Sequence, residues 1–172
     1  MRLKQKLINP DMLMLLGVAA VPIDIWTVLT TLEWVQPWAR SNTTWDFIGS
    51  FSYPLAFAFV EILVIFLPMA LLRIVLPDKW LSDKFLSFGF LYIVEFTTFV
   101  LLLQYIDSLF WQKKLLLGGF LAGLLIIFLL VYFIPTIKKI CDFLADRFAI
   151  LGLFLLISNL LAVVIVLIRN IL

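Results

Sequence analysis

Three carboxylates stand inside long apolar runs of this chain: Asp24, Glu61 and Glu95. An ionisable group in hydrocarbon is costly, which makes it the first place to look for function in a membrane-spanning segment. Counted from the centre of each run at about 1.5 Å per residue, Glu95 falls near the midplane, and Asp24 and Glu61 about 5 Å to the outer side of it. One layer of a helical bundle could therefore hold all three.

Their helical neighbours suggest an inward orientation. Gly17, Ala20, Asp24, Thr27 and Thr31 recur at three- and four-residue steps, which makes one small and polar stripe on a helix. Tyr92, Glu95 and Thr98 are spaced by three, and Gly152, Asn159 and Ala162 share roughly one face. Such stripes are what helices bury against one another in lipid. No lysine or arginine shares the layer: Arg73 is twelve residues beyond Glu61, about 18 Å along a helix.

An uncompensated charge is disfavoured in low dielectric. The acids are then protonated and hydrogen-bonded to Tyr92, Thr27, Thr98 or Asn159, or they bind a cation, or they meet a basic residue of a partner chain. The second case makes Asp24, Glu61 and Glu95, with Tyr92, Thr98 and Asn159, a proton or cation path. The other two make them polar glue between helices, or docking groups, and that reading is preferred.

Other chemistry is sparsely supplied. The absence of histidine excludes Ser-His pairs, His-ligated zinc and His-ligated haem. Cys141 is the single cysteine, so no intrachain disulfide can form. A juxtamembrane cysteine can be acylated, but a small buried residue is the preferred reading. Asp142 and Asp146 form one DxxxD, a spacing that binds Mg²⁺-diphosphate when repeated among other acids. Here it occurs once, with Lys138 placed to pair with Asp142 at i,i+4. No catalytic residue, metal or cofactor is therefore expected, and the chain is read as a non-enzyme.

The elements that must position these groups follow from composition. Of 172 residues, 65% are hydrophobic and 14% charged, and the mean hydropathy is +1.17. Soluble domains are nearer half apolar and a quarter charged. The expected fold is all-α, a polytopic membrane bundle of five transmembrane helices at about 12–32, 52–76, 85–106, 115–134 and 148–168. The segments between them are too short to hold a core of their own, so residues 1–172 read as a single membrane domain. The basic start MRLKQK and Val18-Ala19-Ala20 resemble a cleavable signal, but the apolar run continues through Ile25 and Trp26, which favours a first span.

Basic residues set the expected orientation. With the N-terminus cytoplasmic, Arg2, Lys4, Lys6, Arg73, Lys79, Lys84, Lys138, Lys139 and Arg147 lie inside and Arg40, Lys113, Lys114 and Arg169 outside. Nine against four favours that arrangement, with the C-terminus extracytoplasmic. Trp34, Trp38, Trp45 and Trp111 then mark the outer interface and Trp80 the inner one.

Smaller signals complete the pattern. Gly119 and Gly123 in the fourth span have the GxxxG spacing, a dimerisation face or, preferred here, close packing inside the bundle. Ile137, Ile140, Cys141, Leu144 and Phe148 recur at helical spacing opposite charged residues, which suggests an amphipathic helix on the inner surface. Residues 81–89 and 144–152 are faintly alike, each opening a span, and helices two–three and four–five are expected as antiparallel hairpins. Asn42-Thr43-Thr44 is a glycosylation acceptor if the chain enters a eukaryotic secretory pathway.

The expected role is a non-catalytic accessory, assembly or scaffolding subunit of a plasma or cytoplasmic membrane. Its partners are the lipid bilayer and another membrane protein or itself, and not nucleic acid. The alternative is a small proton- or cation-conducting transporter or channel subunit. A lipid-acting enzyme ranks last.

Overall fold

The structure is a computed structural model that describes residues 10–35, 43–75, 83–105 and 110–171. The N-terminal basic residues, Trp38, the Asn42 position and Trp80 lie outside the described residues, as do the side chains of Trp34 and Trp111. Five helices follow in order: α1 (Pro10–Val35), α2 (Thr44–Val75), α3 (Phe85–Tyr105), α4 (Phe110–Phe133) and α5 (Pro135–Ile171). All five are long and apolar enough to cross a membrane.

Local chemistry accounts for the helix starts. Pro10 opens α1 with Asp11 in the first turn, where a proline loses no needed N–H and a carboxylate meets the positive end of the helix. Thr43 caps α2: its hydroxyl accepts the Asp46 N–H at 3.3 Å and donates to the Asp46 carboxylate at 2.7 Å, a reciprocal cap. Ile134 alone separates α4 from α5, and Pro135 is the first residue of the last helix.

Two helices are longer than their apolar runs. α2 begins at Thr44 rather than near Ser52, because the Thr43 cap starts the helix on the polar side of the boundary. α5 runs unbroken for 37 residues, so the expected surface helix and the expected fifth span are one element. No glycine or proline interrupts it between Pro135 and Gly152, and nothing else in that stretch breaks a helix. The faint repeat is not structural either: residues 83 and 84 form a turn before α3, whereas 146 and 147 lie inside α5.

α1 and α5 form the centre. They run in the same direction, with Gly17 beside Ala149 and Gly152 and Asp24 beside Asn159. A side chain on Gly152 would fall on the Gly17 carbonyl oxygen, and one on Gly17 would lie 2.7 Å from the Ala149 carbonyl oxygen. Only glycine permits this approach of two backbones, and in lipid such contact is a main source of helix association. Ala19, Ala20, Ala145 and Ala149 are buried around it.

α2 packs on both α1 and α5, and α3 covers the remaining side of that pair. The start of α2 is tied to the end of α5, where Arg169 donates to the Trp45 carbonyl and to the Asp46 carboxylate, each at 2.9 Å. At the other end of the bundle Ser87 donates to the Asp142 carboxylate, and Lys138 lies 3.8 Å from the same group. Lys84 there donates to the Tyr132 carbonyl and sits over the Tyr132 ring.

α4 is peripheral. It leans on α3 through Phe120, which stacks on Phe99 and meets Phe96 edge-on, and it touches α5 little. Helices four and five are thus joined by one residue without packing as the expected hairpin. Among the described residues nothing lies within 4 Å of a Cβ placed on Gly118 or Gly119, so Gly119 packs closely against none of them.

Candidate functional site

The three intramembrane acids do not share one buried layer. They face three different surroundings, and the difference follows from the helix opposite each one.

Asp24 is enclosed. It is 1% exposed and Asn159 is 0% exposed, because the small and polar stripe of α1 lies directly on α5. The Asn159 amide nitrogen donates to both Asp24 carboxylate oxygens, at 2.9 and 3.0 Å. The amide oxygen of Asn159 is buried with no partner among the described residues. Thr27 and Thr31 continue the buried stripe.

Glu95 turns toward α4. Its Oε1 occupies the place where residue 123 would carry a side chain, and its Oε2 is buried with no hydrogen-bond partner among the described residues. Gly123 thus makes room for a carboxyl group. Tyr92, one turn earlier, is buried beside Phe96 at 5.9 Å between rings. Thr98 is exposed, and its hydroxyl donates back to the Val94 carbonyl at 2.8 Å, so it serves its own helix and not an acid.

Glu61 corrects the sequence expectation most. It is exposed on α2 and lines a groove of about 690 Å³ between α1, α2 and α3. The groove exists because α2 and α3 each pack on α1 but barely touch one another. Trp26, Thr27, Thr30, Phe57 and Thr97 share the lining with Glu61. No hydrogen bond or ion pair holds Glu61 among the described residues.

Among the described residues no three His, Cys, Asp or Glu side chains gather to hold a metal ion. Cys141 is buried in the core, closed to an acyl donor. Arg73, read in the sequence only as a cation near a span end, is 7% exposed, packs 5.0 Å from the Phe85 ring centroid, and leaves two of its nitrogens unpaired among the described residues. Its position in the C-terminal half of α2 gave no hint of burial.

No family model matches the chain, and no curated protein or solved structure matches it.

Proposed function

We propose that this chain is a non-catalytic accessory or scaffolding subunit of a multi-protein assembly in a plasma or cytoplasmic membrane. The dispersal of its intramembrane acids supports this most. A proton relay along side chains needs titratable groups within reach of one another, whereas Asp24 is held by Asn159, Glu95 is pressed on Gly123 and Glu61 faces outward. On this reading Asp24 is glue within the bundle, and Glu61 is a surface group available to another protein. The N-terminus is cytoplasmic and the C-terminus extracytoplasmic, as the basic residues favour.

A second reading, a small proton or cation conductor, is favoured by one observation: Glu61, Thr27, Thr30 and Thr97 line a single cavity. The purified chain in proteoliposomes distinguishes the two. An accessory subunit gives proton and cation flux no greater than empty vesicles. Flux that is lost on Glu61→Gln or Glu95→Gln, in protein that still folds, would establish the conductor and remove the accessory role.

A further inference from the structure

We infer that the groove between α1, α2 and α3 receives a transmembrane helix of a different protein, and that a lysine or arginine near the middle of that helix pairs with Glu61. The inference rests on the accessory reading and names the kind of partner.

Depth comes first. Glu61 lies within about 5 Å of the middle of its apolar run, whereas lipid headgroups begin about 15 Å from the midplane. A headgroup amine cannot reach it, so a covalently held cation at that depth has to be carried on a helix.

The spans themselves do not supply one. Within the five apolar runs the sole lysine or arginine is Arg73, near the end of its run and buried. A second copy would bring no cation to the level of Glu61.

The polar lining of the groove also asks for a donor. The single hydrogen of the Thr30 hydroxyl is already taken by the Trp26 and Thr27 carbonyls it lies between, and that of Thr97 by the Ile93 carbonyl, which leaves the two hydroxyl oxygens as acceptors. Pro68 has no N–H for the Val64 carbonyl one turn beyond Glu61, and Val64 lines the same groove. The Trp26 indole and the Thr27 hydroxyl are the remaining polar groups. Acceptors therefore dominate a wall that is otherwise apolar, and its rim, with Phe57 and Val64, is exposed. A guanidinium or ammonium on an apolar helix fits both features, since an ion pair in low dielectric is retained when further hydrogen bonds surround it.

The test uses the full chain in phosphatidylcholine vesicles, with energy transfer from its tryptophans to a dansyl-labelled synthetic helix of about 20 leucine and alanine residues. One peptide carries arginine at its centre and its twin carries leucine. The arginine peptide is expected to bind about tenfold more tightly, the size of one good polar contact in a membrane. That advantage is expected to vanish in Glu61→Gln and to persist in Glu95→Gln. With Glu61→Lys, preference should pass to a peptide with a central aspartate, which shows that the variant surface is still folded.

Equal binding of the two peptides, or an arginine advantage that survives Glu61→Gln, overturns the inference. So does Glu61-dependent association of two copies of the chain in peptide-free vesicles. Failed peptide binding without ion flux removes only the docking helix. Glu61-dependent flux would remove the accessory reading on which it rests.

Discussion

Asp24 and Glu61 are the same chemistry on neighbouring helices, and they have opposite fates. Asp24 faces α5, where small residues let two backbones approach and an asparagine meets the carboxyl group. Glu61 faces a gap that α2 and α3 leave open, with no group bonded to it among the described residues. An acid that is satisfied internally contributes to folding. An acid left unsatisfied on an apolar surface contributes nothing to the isolated fold and, on the proposed reading, is available to something that covers it. On the proposed reading, the α1–α5 seam and the α1–α2–α3 groove are the structural and the interactive sides of one bundle.

The sharpest way to break that division is at the seam. Gly152→Leu forces α1 and α5 apart and is expected to destabilise the protein by about 3 kcal/mol, read as the midpoint of denaturant unfolding in detergent micelles. The same change at Gly118, where nothing is near, should leave that midpoint where it is. Equal effects at both positions would mean that the seam does not hold the bundle.

Asn159→Leu comes next. It leaves Asp24 buried without a donor, at an expected cost of about 2 kcal/mol. Asp24→Asn keeps a partner for Asn159 and should cost under about 1 kcal/mol. The double change Asp24→Leu with Asn159→Leu should recover part of the loss, since both polar groups are then gone; a cycle of these variants gives the coupling directly.

A smaller effect is expected at Gly123→Ala. The added methyl displaces the Glu95 carboxyl group, a flexible group that can swing aside, for about 1 kcal/mol. Combining it with Glu95→Ala should abolish the penalty, which the same unfolding assay resolves. Smallest of all is Glu61→Gln, which should leave the unfolding midpoint unchanged while removing the arginine preference described above. If it destabilises the chain as Asn159→Leu does, Glu61 belongs to the fold and the division fails.

Some of this was legible in the sequence. The five apolar runs mark the five helices, since a helix crossing hydrocarbon has to be apolar along its length. The three- and four-residue spacing of Gly17, Ala20, Asp24 and Thr27 marks the buried face of α1, and Gly152, Asn159 and Ala162 mark the face that meets it.

What spacing cannot express is what stands opposite a given face. Glu61 occupies a run as apolar as that of Asp24, and only the separation of α2 from α3 makes it a groove residue. Gly119 and Gly123 share one motif, yet one lies open and the other lies under Glu95, because α4 leans on α3 along part of its surface. Gly17 and Gly152 form the closest backbone approach from two distant helices and carry no local signature together. The extensions of α2 and α5 beyond their apolar runs were hidden for a different reason: hydropathy ends where lipid ends, while helix caps and helix-compatible residues carry on. The Arg169–Asp46 tie, between the start of α2 and the end of α5, follows from the extension of α2.

The most direct measurement is native mass spectrometry of the chain after gentle detergent extraction from its source membrane, wild type beside Glu61→Gln. If Glu61 is a docking group, the wild type carries a stoichiometric second protein with a basic residue at the centre of one of its transmembrane helices, and the variant is recovered without it. Recovery of both proteins alone, or as the same homo-oligomer, would contradict the assignment of this bundle as an accessory subunit.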